Sequence, residues 1–232
     1  MKRALRLACC IEDLRVLAQA RVPKPFYDYV DAGSWTEQTY RANERDFAAI
    51  KLRQKVLVDI EKRSVSAKLL GQNATMPLAL APCGFGGMMW PDGEIAAAQA
   101  AQDFGVPFTL STMSINSIED VAAHTTAPFW FQLYVMRDRG FVKNLLSRAK
   151  AAGCSALVLT GDLQVIGQRH KDIKNGLTLP PAPTLQSLVH LLSRPRWCFG
   201  QLGAKSWTFG NVVGHHPLVR ELNECVVLCF VM

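Results

Sequence analysis

Apolar residues at Ile11, Leu14, Leu17 and Ala18 recur at the spacing of one helical face, and the stretch stops at Val22-Pro23. The pattern predicts a helix over Ile11–Arg21, with a second short one over Lys24–Val30. Residues 35–55 mix charge and apolarity without a period and predict a covering or connecting element. From residue 78 onward the texture changes. Short apolar runs at 78–82, 107–111, 129–134 and 156–162 alternate with helix-like stretches at 94–104, 117–124 and 141–152. Gly105 and Gly153 close the first and last of these helices, and Ser117 with Asp120 opens the middle one with capping-box spacing. The four runs start 22 to 29 residues apart, the rhythm of βα units around a parallel sheet.

Periodicity alone leaves a barrel and an open doubly wound sheet equally available, because strands buried on both faces give the same string. The placing of the polar residues helps. Ser111, Gln132, Tyr134, Thr160 and Asp162 fall at or near the C-terminal ends of successive runs, where parallel barrels build active sites. Past Asp172 the rhythm breaks. Residues 177–216 carry Pro180, Pro181, Pro183 and Pro195 among Trp197, Phe199, Trp207 and Phe209, and predict a long segment poorly packed on the body of the protein. Residues 217–232 end in an apolar run that could form one strand.

Composition narrows the partners. With 26 Lys and Arg against 19 Asp and Glu the formal charge is +7, which suits an anionic substrate, an acidic membrane surface or a nucleic acid. No run of five basic residues occurs and the aromatics sit inside apolar segments, which argues against nucleic acid. Seven cysteines at scattered spacings fit a reducing compartment, and Cys225 and Cys229 lack the further ligands that a zinc site needs, so no metal is expected. The first ten residues are too short and too charged for an export signal, and no window is long and apolar enough to span a bilayer.

Three clusters carry candidate chemistry: Tyr27-Asp28-Tyr29, Phe131-Gln132-Leu133-Tyr134, and residues 160–172 with Thr160, Asp162 and Arg169. Taken singly, a tyrosine at a strand end packs its ring and wets its hydroxyl, and an aspartate after a strand caps a helix. Together they supply phenols, an amide, a carboxylate and a guanidinium, a set suited to holding a small carboxylate above a polar aromatic ring.

In order along the chain, Ala81-Pro82-Cys83-Gly84, Thr109-Leu-Ser-Thr-Met-Ser114, Phe131-Gln-Leu-Tyr134 and Leu159-Thr-Gly-Asp162, continued by Gly167-Gln-Arg169 and Lys174-Asn-Gly176, resemble the successive signatures of the flavin mononucleotide (FMN)-dependent α-hydroxy acid dehydrogenase and oxidase family. Gln168-Arg-His-Lys-Asp172 and Pro195-Arg-Trp-Cys198 lean toward its L-lactate dehydrogenase branch. The resemblance implies a (β/α)8 barrel with FMN across its C-terminal rim, and residues 1–216 as the N-terminal part of that barrel, with 177–216 as a lid or membrane-facing loop. It implies that Ala81, Pro82 and Cys83 run beneath the flavin ring and that Ser111, Gln132 and Thr160 bond its pyrimidine edge. Tyr29 and Arg169 would hold the substrate carboxylate, Tyr134 would bond near the substrate hydroxyl, and Asp162 would orient a catalytic histidine. The implied reaction is oxidation of an L-2-hydroxy acid, L-lactate to pyruvate foremost. A quinone or cytochrome would be the acceptor, in a homo-oligomeric protein that is cytoplasmic or peripheral on the inner face of the cytoplasmic membrane.

Two departures stand out. Gly161 replaces an apolar residue of the family's fourth strand, which should loosen packing there by roughly 1 kcal/mol. The family's His-Gly-x-Arg motif, with its base, and the later lysine and phosphate-binding segments are not found among these 232 residues. On this basis the chain is expected to be an incomplete barrel with an exposed sheet edge and a non-family tail at 217–232. It is expected to bind FMN weakly or not at all and to be inactive alone; a dead flavin-binding or membrane-associating fragment is the alternative.

Overall fold

Helices α1 (Ile11–Arg21) and α2 (Lys24–Val30) lie where the periodicity puts them, with Pro25 in the first turn of α2, where its missing N–H costs nothing. The structure is a computed structural model and describes residues 5–162, 167–177 and 184–215. Asp31, just past α2, ties the N-terminal elements together. It accepts from Arg15 Nε and Nη2 at 3.0 Å each, from the Tyr27 hydroxyl at 2.9 Å, and from the Tyr40 hydroxyl of helix α3 (Gln38–Arg45). These donors hold its carboxyl below the usual carboxylate range despite the opposing effect of burial, which is the largest single influence. The stretch that showed no period therefore contains one helix and, at Asp46–Ala49, a 3-10 turn.

A hairpin follows that the hydrophobic pattern did not announce. Strands β1 (Ala67–Leu69) and β2 (Gln72–Ala74) pair antiparallel around Leu70 and Gly71, both at positive φ, as a two-residue hairpin turn of this hand requires. Gln72 accepts from the Trp130 indole at 3.0 Å and donates to Ser155 at 2.8 Å, which places the hairpin across the N-terminal ends of the next strands.

Three parallel strands run in chain order, β3 (Thr109–Ser111), β4 (Trp130–Tyr134) and β5 (Ala156–Thr160). The expected first strand at 78–82 is reduced to one bridge between Leu80 and Phe108. Leu80 donates to Pro107 O and accepts from Thr109 N, but Leu78 N turns back to Met76 O and Pro82 has no N–H, so the ladder cannot extend in either direction. Between these segments lie α4 (Gly86–Met89), α5 (Gly93–Phe104), α6 (Ile118–His124) and α7 (Arg139–Ala151). Ser117 and Asp120 form the capping box read from the sequence. Gly105 ends α5 in the left-handed region, its N–H bonded to Ala101 O and Gln102 O.

The core sits between this sheet and its helices: Leu110, Phe131 and Leu133 from the strands meet Ile118, Val121, Phe141 and Leu145 from α6 and α7. Cover ends at β5. Leu157 and Leu159 share a face with Phe131 and Leu133 by register, yet are 48% and 65% exposed, and among the described residues no strand pairs with the outer edge of β5. The expected open edge is thus present. Gly161 lies past the last residue of β5 and a side chain there would meet nothing within 4 Å, so the expected loosening of strand packing has no counterpart.

The segment 177–216 departs furthest from expectation. After α8 (His170–Lys174) it holds two helices, α9 (Leu185–Leu192) and α10 (Pro195–Gln201), and its second half is well packed. Trp197 stacks on Phe26 at 5.2 Å and donates to Met88 O at 3.0 Å, while Phe209 and Val212 are core residues. Residues 178–183 and the tail at 216–232 lie outside the described residues.

Candidate active site

The parallel register brings the predicted polar residues to one rim. Gln132 lies opposite Ser111 on one side, and Tyr134 lies opposite Thr160 on the other. Across the three strands runs a chain of side-chain bonds: Ser111 Oγ donates to Gln132 Oε1 at 3.1 Å, and Gln132 Nε2 donates to Thr160 Oγ1 at 2.7 Å. Thr112 N also donates to Gln132 Oε1 at 3.2 Å, so the amide oxygen is fully engaged and its orientation is fixed by the network. The Thr160 hydroxyl proton and one Gln132 N–H are not used by these bonds.

A second cluster centres on Tyr29. The Arg169 guanidinium lies 4.7 Å from the Tyr29 ring centroid and donates to the Tyr29 carbonyl, and Phe85 meets the same ring edge-on at 4.9 Å. The Tyr29 hydroxyl is 3.6 Å from where a side chain on Gly84 would begin. Burial pushes the phenol up, opposed by Arg169 and reinforced by Asp172, Tyr134 and Cys83. Arg169 is itself steered by Asp172, whose carboxylate lies 3.0 Å from Nε.

The turn from Ser111 to Ser114 joins the two clusters. Met113 N donates to Ser111 Oγ at 3.1 Å, Met113 O accepts from Phe85 N at 3.2 Å, and the Thr112 hydroxyl accepts from Tyr134 N at 3.2 Å. Ala81 and Cys83 are exposed beside this turn and Pro82 is half-buried, forming a shelf under the rim. Asp162 is exposed, just beyond β5. No described histidine reaches either cluster by a hydrogen bond: His124 bonds Asp120 O and Lys205, and His170 packs on Trp35.

Two features of the site were not found from sequence. Phe85 and the strap Phe209–Val213 come from a glycine-rich turn and from the far end of a proline-rich segment, and neither carries a local signature of proximity. Phe209 packs edge-on against Phe85 at 4.7 Å, which puts the strap directly behind the Tyr29 cluster.

A parallel βα sheet gathers Ser111, Gln132, Tyr134 and Thr160 at its C-terminal rim, where the parallel barrels of βα units build their sites. The hydroxyl and amide donors of Thr160 and Gln132 are of the type that the carbonyl edge of a flavin ring accepts from. Comparison with known proteins agrees. Residues 18–222 match the FMN-dependent dehydrogenase family. The chain is 45% identical over 216 residues to an L-lactate dehydrogenase of Vibrio cholerae, covering 92% of this chain and 57% of that protein. It is 46% identical over 202 residues to an L-lactate dehydrogenase of Xanthomonas campestris pv. campestris, covering 86% and 52%. Its structure superposes on the monotopic membrane protein (S)-mandelate dehydrogenase with a TM-score of 0.87 at 34% identity, over 96% of this chain and 59% of that one.

The chain belongs to the FMN-dependent dehydrogenase family, and its strands are part of that family's (β/α)8 barrel. FMN is the family's cofactor. The chain spans a little over half the length of the curated relatives it matches.

Proposed function

We propose that the rim built by Ser111, Gln132, Tyr134 and Thr160, with Tyr29 and Arg169 beside it, is the flavin-ring and carboxylate side of a site for oxidising L-2-hydroxy acids, L-lactate foremost. The observation that carries this is the packing of Arg169 over the Tyr29 ring, with the Tyr29 hydroxyl beside Gly84 of the 81–84 loop. FMN, when bound, accepts the two electrons of the oxidation. Ala81, Pro82 and Cys83 would pass under its ring, and Thr160 and Gln132 would donate to its pyrimidine edge. Arg169 would pair with the substrate carboxylate, helped by the Tyr29 hydroxyl, and Tyr134 would bond the substrate hydroxyl. Asp162 stands at the rim where it could charge-stabilise a base, but no described histidine is placed to take the proton.

The test separates binding from turnover. The 232-residue chain should quench FMN fluorescence weakly but saturably, and Gln132→Leu should abolish the quenching. Anaerobic addition of L-lactate should not bleach the flavin band. Absence of saturable quenching would remove the cofactor assignment, and bleaching by L-lactate but not D-lactate would overturn the assignment of incomplete catalysis.

Membrane attachment is favoured by a separate observation. Leu185, Leu188, Val189 and Leu192 form one exposed stripe on α9, with exposed Phe199 on the neighbouring α10, exposed Leu202 just past its end, and Arg194 and Arg196 at its start. No described helix is long and apolar enough to cross a membrane. The stripe would lie in the surface of an anionic bilayer while Ser187, bonded to Asn175 O at 2.6 Å, anchors α9 from its other face. Leu188→Glu with Val189→Glu should release the chain from anionic vesicles; unchanged co-sedimentation would reject the attachment.

A further inference from the structure

We propose that Asn211 is a positioning residue for the flavin-facing rim, acting through the Ser111–Ser114 turn; this rests on the FMN assignment above. Asn211 is 0% exposed and commits the donor end of its side-chain amide to the Ser111–Ser114 turn. Nδ2 donates to Ser114 Oγ at 2.9 Å and to Ser111 O at 3.3 Å, spanning the mouth of the turn, which Ser114 N closes on Ser111 O at 3.2 Å. Oδ1 accepts from Ile118 N at 2.9 Å, and Arg148 Nη1 holds the Asn211 carbonyl at 3.1 Å. The amide orientation is unambiguous. Ser114 Oγ donates to Asn116 O at 2.7 Å and so accepts from Asn211, while Oδ1 faces only donors.

The turn held in this way is the junction of both halves of the site. Through Ser111 it sets Gln132, through Thr112 it sets Tyr134, and through Met113 O it sets the loop that leads from the 81–84 shelf. The strand that carries Ser111, β3, is only three residues long. Gly210 lets the strap come this close, since a side chain there would begin 2.7 Å from Ile115 O and 2.8 Å from Ser117 N. Chain separated by about a hundred residues in sequence thus returns to fix the geometry of the rim.

The two ends of the amide allow the positioning role to be separated from a purely structural one. Asn211→Asp keeps the acceptor for Ile118 N and Arg148 but replaces the donor facing Ser111 O and Ser114 Oγ with an oxygen. Asn211→Ala removes both. Hydrogen exchange of the full chain should show Thr112, Met113 and Ser114 amides exchanging at least tenfold faster in Asn211→Asp, with the amides of α6 and α7 unchanged. With FMN added, the same variant should bind at least tenfold more weakly and show a shifted flavin absorption band. Unchanged turn exchange in Asn211→Asp overturns the proposal, as do an unchanged band and affinity where the parent binds FMN. If the parent shows no saturable FMN binding, the cofactor assignment fails on its own, and the exchange result still decides whether Asn211 positions the turn.

Discussion

Phe209→Ala is the sharpest test of how the strap is attached. Phe209 is 1% exposed, packs edge-on against Phe85 at 4.7 Å, and belongs to the same core as Leu110 and Ile118. Deleting a buried phenylalanine ring costs about 3–5 kcal/mol from lost burial and the cavity left behind. Of this, roughly 0.5–1.5 kcal/mol belongs to the aromatic pair beyond its area. With a urea slope of about 2–3 kcal/mol per molar for a domain of this size, the denaturation midpoint should fall by about 1–2 M. A double-mutant cycle with Phe85→Ala should return the pair's coupling, about 1 kcal/mol, because the rings touch. The assay is equilibrium urea unfolding followed by tryptophan fluorescence and by far-ultraviolet circular dichroism. A midpoint shift under about 0.3 M would refute the packing of residues 209–213 into the core. It would restore the expectation of a loosely attached segment. A large shift with additive single mutants would keep the burial and reject the ladder from Phe209 through Phe85 to Tyr29.

Three further outcomes follow from the same structure. The Glu119 carboxyl is drawn down to about 2, chiefly by its hydrogen bond to Arg148, from an ordinary value near 4.5. The stability it contributes is present above about pH 4.5 and lost as pH falls through about 2; because its side chain is half exposed, about 1 kcal/mol remains after solvent screening. Urea midpoints measured from pH 6 to pH 2 should flatten in Glu119→Gln, and an unchanged profile would reject the pair. Arg169→Lys should lose the planar stack on Tyr29 and weaken oxalate or lactate binding by about tenfold, read by isothermal titration of the FMN-supplemented chain; equal affinity would detach Arg169 from carboxylate recognition. Replacing Leu157 and Leu159 by Lys should raise the concentration at which the chain stays monodisperse in light scattering, since both are exposed beside the unpaired edge of β5, and unchanged aggregation would place the sticky surface elsewhere.

By itself the sequence determined the local order of this protein. Helices Ile11–Arg21 and Lys24–Val30 coincide with their periodic stretches, and the Ser117 capping box and the Gly105 stop work through contacts within four residues. The βα rhythm and the placing of Ser111, Gln132, Tyr134 and Thr160 at strand ends were also legible, because strand direction in parallel units puts those ends on one side. The first strand was overread, since its apolar run carries no mark of where Pro82 ends a ladder that depends on its neighbour's register. The hairpin at Leu70-Gly71 went unread because its strands are three residues each, too short for alternation to show.

What only the tertiary structure decided is which distant side chains share a surface. The proline-rich segment looked irregular because prolines mark local breaks, yet α9 and α10 form between them, with one facing outward and the other docking through Trp197. Nothing near Phe209 or Asn211 in the sequence points to Phe85 or Ser111, which lie about a hundred residues earlier. Local propensity is set by neighbours along the chain, whereas a buried amide or ring takes its partners from whichever segments the packed core brings within hydrogen-bond or van der Waals reach.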